Sequence, residues 1–83
     1  MENILVKIVF FGPLKDQFGE SIQIQIEKGQ SLRKIVASLK EKESEAEKII
    51  DSCQFAIDLE IESLDFLITT ACEIAVLPPF SGG

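Results

Sequence analysis

The residues best placed to do chemistry stand at one end of the chain: Leu77-Pro78-Pro79-Phe80-Ser81-Gly82-Gly83. Two adjacent prolines stiffen a segment into an extended path and hold it off a folded body. Phe80 offers an apolar anchor, after which the side chains shrink to Ser81, Gly82 and Gly83. Without Cβ atoms the last two residues can thread a narrow channel and deliver a terminal carboxyl group into another protein's active site. A free carboxylate is a poor electrophile. An ATP-using partner must first convert it to an acyl-adenylate; attack by a sulfur donor then leaves a thiocarboxylate, and attack by a protein thiol a thioester. The plain alternative is that Gly-Gly is a frayed end.

Little else in the chain offers catalysis. Histidine is absent, which removes the usual general base near neutral pH, the Ser-His and Cys-His nucleophile pairs and the commonest metal ligand. Cys53 and Cys72 form no Cys-x-x-Cys pair, so zinc-site and thioredoxin-like readings both fail, and packing as small apolar residues is the simpler role. Asp and Glu alone remain as acid-base candidates. A free-standing enzyme is therefore disfavoured: the chain supplies a group, and partners supply the catalysis.

Fourteen acids against eight bases leave a net charge of −6. Nucleic-acid binding draws its affinity from Lys and Arg neutralising phosphates, and an anionic membrane repels the same sign. A basic protein groove suits such a chain. Met1-Glu2-Asn3 does not open a charged-then-apolar leader, and no run approaches the roughly 18 apolar residues of a span. Two lone thiols fit a reducing compartment, and the expected location is the cytoplasm.

The positioning elements follow from the apolar pattern. Eighty-three residues make one domain, 1–83, able to bury roughly two-thirds of its unfolded surface. Asn3 to Phe11 is β-branched and aromatic and stops at Gly12-Pro13, so it reads as a strand. Ser21 to Glu27 alternates, Ile22, Ile24 and Ile26 against Gln23 and Gln25, and pairs with the first as a hairpin. After a turn at Lys28-Gly29-Gln30, Ser31 stands as N-cap before Leu32, Ile35, Val36 and Leu39, which share one helical stripe. The charged run Lys40 to Lys48 reads as a solvated helix end with a second short turn closing on Ile49 and Ile50. Gln54 to Ile61 alternates as a single strand, Leu64 to Ile68 adds a minor one, and Glu73 to Leu77 is a last strand stopped by Pro78-Pro79. The expectation is an α+β roll: a mixed sheet packed on one main helix, with an extended tail over 77–83.

Lys7 marks one side of the first strand as outer, so Ile4, Val6, Ile8 and Phe10 face inward, with Val9 and Phe11 outward. If the last strand lies beside the first, Ile74 and Val76 point in while Ala75 and Leu77 point out. That leaves an apolar patch near Phe11 and Leu77 where the tail departs. It is either a partner surface or a patch covered by loops.

On Val6-Lys7-Ile8-Val9-Phe10-Phe11-Gly12 and Ala75-Val76-Leu77-Pro78-Pro79-Phe80-Ser81-Gly82-Gly83, the chain resembles the small subunits of molybdopterin synthase. These are sulfur carriers of the ThiS/MoaD-like, ubiquitin-related family with the β-grasp fold. The related carrier for thiazole synthesis usually ends in Gly-Gly without the Pro-Pro-aromatic-Ser approach. The resemblance implies that an adenylating enzyme activates Gly83 and a sulfurtransferase system loads it as thiocarboxylate. The tail, with Pro78, Pro79, Phe80 and Ser81 as contacts and Gly82 keeping it thin, then enters the large synthase subunit. There it gives sulfur to a cyclic pyranopterin monophosphate, two sulfurs per dithiolene. The small subunit is non-catalytic and binds no cofactor of its own; ATP is used by the activating partner. The family forms a heterotetramer, two small subunits at opposite ends of a large-subunit dimer, and its contact face maps onto Phe11, Ile61 and Leu77. Before the last strand the family tends to carry an Asp-Gly-Asp type turn, where this chain has Thr69-Thr70-Ala71-Cys72. Carriers for thiazole or tRNA thiolation, and a ubiquitin-like interaction module whose tail is never activated, are the alternatives.

Overall fold

The computed structural model describes residues 2–79. Strand β1 (Asn3–Phe10) runs antiparallel to β2 (Ser21–Glu27), with Val6 opposite Ile24 and Ile8 opposite Ile22. Between them, within the hairpin connection, sits a five-residue helix, α1 (Leu14–Phe18), that the apolar pattern does not announce. It starts at Pro13, whose fixed φ suits a helix start, and buries Leu14 completely. It also brings Phe18 flat against Phe10, ring centroids 4.5 Å apart.

A two-residue strand, β3 (Gln30–Ser31), leads into the main helix α2 (Leu32–Lys42). Ser31 caps it as expected, its Oγ accepting from the Lys34 amide at 3.3 Å. The two preceding free amides find carbonyls in the 64–66 loop, Leu32 N–H donating to Phe66 O at 2.9 Å and Arg33 N–H to Leu64 O at 2.8 Å. The helix start is thereby pinned to the 64–66 loop, more than thirty residues further along the chain. The charged run resolves into a single 3₁₀ turn (Ser44–Ala46) and α3 (Glu47–Asp51), which buries Ile50.

The alternating stretch from Gln54 is two strands, not one. β4 (Gln54–Ile57) turns at Asp58-Leu59 into β5 (Glu60–Ile61). Both turn residues have positive φ, +48° and +76°, the signature of a type I′ hairpin. Asp58 secures the turn by donating its N–H to Glu73 O at 2.9 Å and accepting from Glu73 N–H through Oδ1 at 3.0 Å. β6 (Leu67–Ile68) pairs with β3 in a small second sheet, and β7 (Cys72–Leu77) completes the first.

The main sheet has the order β2-β1-β7-β4-β5, with β1 and β7 parallel at its centre and every other pairing antiparallel. Its inner face carries Val6, Ile8, Phe10, Ile26, Phe55, Ile57, Ile74 and Val76, closed by Leu32, Ile35, Val36 and Leu39 of α2 and by Ile50 and Ile68. This is the expected mixed sheet gripping one helix; of the inward set read from Lys7, Val6, Ile8, Phe10, Ile74 and Val76 are core, while Ile4 is partly buried against it. Among the described residues no helix is long and apolar enough to cross a membrane.

Candidate functional site

The site is built where β1 and β7 end together. Their parallel register sets Phe10 beside Val76, so the next residues, Phe11 and Leu77, emerge side by side. Gly12 then turns the chain at φ +61°, and its bare Cα lets the tail pass: a Cβ there would stand 3.3 Å from Pro78 Cγ. Phe11, Gly12, Pro13, Gln54, Leu77, Pro78 and Pro79 line an open recess of about 490 Å³. Across Pro78-Pro79 lies a second recess of about 370 Å³, against Lys48, Ile49 and Ser52 of the α3 region. Pro78 and Pro79 thus line both hollows.

Register also fixes which residues share the uncovered face. Val9 stands beside Ala75, Ala75 beside Ala56, and Ala56 beside Ile61. These four make an apolar row across the sheet, with Leu77 and Gln54 in the next row toward the tail. Ile61 is on this face because the Asp58-Leu59 turn reverses parity: Ala56, not Ile57, is its partner. A continuous strand would have put Ile61 inside with Ile57. Phe11 is 43% exposed and Ile61 55%. The patch is open at Phe11 and Ile61; Val9, Ala75 and Leu77 are half-buried and Ala56 is buried. Away from the tail the face turns polar, with Lys7 4.0 Å from Glu73.

Of the residues singled out from sequence, Phe11, Ile61, Leu77, Pro78 and Pro79 therefore lie on one surface. Phe80, Ser81, Gly82 and Gly83 lie outside the described residues. The sequence reading missed Gly12, Pro13 and Gln54. Gly12-Pro13 reads from sequence as a strand stop, and Gly12 as the end of the family-like segment, although a glycine at a strand end also marks close backbone approach.

The cysteines sit elsewhere. The Cys53 thiol donates to Ile49 O at 3.1 Å, and burial pushes its pKa up. Cys72 is raised by burial and, secondarily, by the Asp58 charge. It opens β7, six residues long, so it lies at the opposite end from the tail. Both are held as thiols, the less nucleophilic form.

No curated protein sequence matches the chain significantly. Among solved structures, one that it matches at 30% identity is the complex of subunits 1 and 2 of molybdopterin-converting factor from Helicobacter pylori 26695. That match covers 96% of this chain and 100% of the other, with a TM-score of 0.71. Small archaeal modifier protein 1 from Methanosarcina acetivorans aligns over 100% of both chains at 22% identity and TM-score 0.79. A Caldiarchaeum subterraneum ubiquitin aligns over 99% of this chain and 100% of its own at 10% identity and TM-score 0.66. The last two establish the ubiquitin-like β-grasp fold. The ThiS family model matches residues 8–83, from the third inward residue of β1 through Gly83. The chain belongs to the ThiS family, and is a β-grasp protein of the sulfur-carrier or ubiquitin-like-modifier kind.

Proposed function

We propose that the protein is the sulfur-carrier subunit of a molybdopterin synthase, acting in the cytoplasm. The Gly83 carboxylate attacks the α-phosphorus of ATP on an adenylating partner, releasing pyrophosphate. A sulfur nucleophile then displaces AMP from the acyl-adenylate and leaves a thiocarboxylate. The folded body docks on the large synthase subunit through Phe11, Ile61 and Leu77. Pro78 to Ser81 lead the thin Gly82-Gly83 end into that subunit, whose residues catalyse sulfur transfer to cyclic pyranopterin monophosphate. No residue of this chain need do more than position the tail.

The observation that carries the reading is the placement of the diproline exit. It leaves the sheet beside an open apolar face, in a family match that continues to Gly83. The Helicobacter pylori relative, solved as a complex of two subunits, supports a partner of the large-subunit kind. A carrier for thiazole or tRNA thiolation would use the same tail chemistry with another acceptor.

Intact-mass measurement after incubation with ATP, a sulfur source and the activating enzyme tests the carrier role. The expected product gains one oxygen-to-sulfur exchange confined to Gly83, and a chain lacking Gly83 gains nothing. An unchanged mass in the full chain refutes the carrier reading. Co-purification with a thiazole synthase instead of a large synthase subunit refutes the pathway alone.

A further inference from the structure

β2 is an edge strand, and its sequence does nothing to guard the edge. Natural edges are blunted by Pro, Lys, bulges or brevity. The opposite edge, β5, is two residues long. β2 runs seven residues, Ser-Ile-Gln-Ile-Gln-Ile-Glu, with no Pro, Lys or bulge. Its free groups can be assigned. Phe10 N–H donates to Glu20 O and Lys28 N–H to Glu2 O, each at 3.0 Å, so bonded pairs with β1 fall at even positions of β2. The N–H and C=O groups of Ser21, Gln23, Gln25 and Glu27 therefore point away from β1, and no described strand meets them.

We propose that β2 is a self-association edge, two copies pairing antiparallel about a two-fold axis at Ile24 to form one continuous sheet of two five-stranded halves. The charges that flank the strand, Glu20 and Lys28, select this register. It sets Ser21 opposite the second copy's Glu27 and Gln23 opposite its Gln25, so all outward groups of both strands are paired. Ile22 meets Ile26 and Ile24 meets Ile24, covering Ile22 and Ile24, which a single copy leaves half-buried. At each end Glu20 faces Lys28 of the other copy. A slip of two residues sets Glu20 against Ile26 and leaves Lys28 beyond the partner strand, losing both ion pairs. The pairing leaves the apolar outer face free. Because β7 runs parallel to β1, it sends the two diproline exits to opposite ends.

The interface is narrow, so the association is weak and is read by sedimentation velocity from about 10 µM to 1 mM, where weak edge contacts populate. Amide hydrogen exchange across the same range slows at Ser21, Gln23, Gln25 and Glu27 and is unchanged at Ile22, Ile24 and Ile26. Gln25→Pro removes an outward donor that β1 never used and abolishes the dimer. Lys28→Glu weakens it about tenfold, replacing two exposed attractions by repulsions. Glu20→Lys combined with Lys28→Glu restores it. Both residues also make exposed pairs within one copy, Lys28 with Glu2 at 3.5 Å and Glu20 with Lys15 at 4.0 Å. The swap sacrifices these at little cost to folding. A chain monomeric at 1 mM, protection at other amides, or a double swap that fails to restore association overturns the proposal.

Discussion

Replacing Gly12 by Ala separates the tail's path from the stability of the body. Two costs arise at this position. A side chain at φ +61° is strained by about 1–2 kcal/mol, offset by about 0.4–1 kcal/mol because Ala has less unfolded freedom to lose. The net loss is therefore about 0–1.6 kcal/mol, centred near 0.8, a fall in midpoint of a few degrees for a domain of this size. The added Cβ also stands 3.3 Å from Pro78 Cγ, so the proline must retreat by a few tenths of an ångström. Gly29 supplies the control: its φ is +92°, and a Cβ there meets nothing within 4 Å. Urea unfolding should find the two Ala variants similarly destabilised. Only Gly12→Ala should shift the Phe11 and Leu77 amide resonances and slow thiocarboxylate formation and sulfur transfer. Equal slowing by Gly29→Ala, or normal transfer by Gly12→Ala with unmoved resonances, would refute the idea that this contact aims the tail.

Other expectations are independent of the tail. Leu59 is 92% exposed at φ +76°, so Leu59→Gly removes strain and sacrifices no core contact. A stabilisation of about 0.5–1 kcal/mol is expected in thermal unfolding. Phe10→Ala empties a fully buried, stacked position and should cost about 3–5 kcal/mol, enough to unfold much of the population at 37 °C. Ser31→Ala deletes one long, exposed cap bond and should cost about 0.5–1 kcal/mol in urea. For Cys72 the raised pKa means that the folded chain holds its proton beyond the ordinary 9.0. The stabilisation is complete below that pH and is lost as pH rises through the raised value. Asp58→Asn keeps an acceptor for Glu73 N–H while deleting the charge, so alkylation of Cys72 should speed up near pH 9 and that of Cys53 should not. Equal acceleration at both thiols would count against the charge effect.

What sequence could and could not disclose follows from the length over which each signal repeats. The inward face of β1 was legible because one lysine in an apolar run breaks the symmetry between faces. The α2 stripe was legible because four apolar residues span two turns behind a serine cap. The Asp58-Leu59 hairpin was not. A two-residue turn keeps apolar residues at odd positions on both sides while switching the face they occupy, so the periodicity of Phe55, Ile57, Leu59 and Ile61 runs unbroken through a reversal. Only the positive φ values betray it, and Leu59 is an unusual residue to hold one. The five residues of α1 are too few for a helical period, and β3 and β6 are too short for alternation. At the site, Phe11 and Leu77 were placed together by assuming that β7 neighbours β1. Gln54 joins them through a long-range register that local pattern cannot supply.

The parallel pairing of β1 with β7 has a consequence for biosynthesis. β1 is synthesised well before β7, so its second flank stays uncovered until β7 has been made, and the middle of the sheet cannot close earlier. Contacts of such sequence separation make for slow, all-at-once folding after release. Because Pro78-Pro79 follow directly on β7, a polypeptide terminated before that strand lacks both its central ladder and the exit segment. A polypeptide that completes the central ladder is thus one translated through β7, to the point where the diproline leaves the sheet.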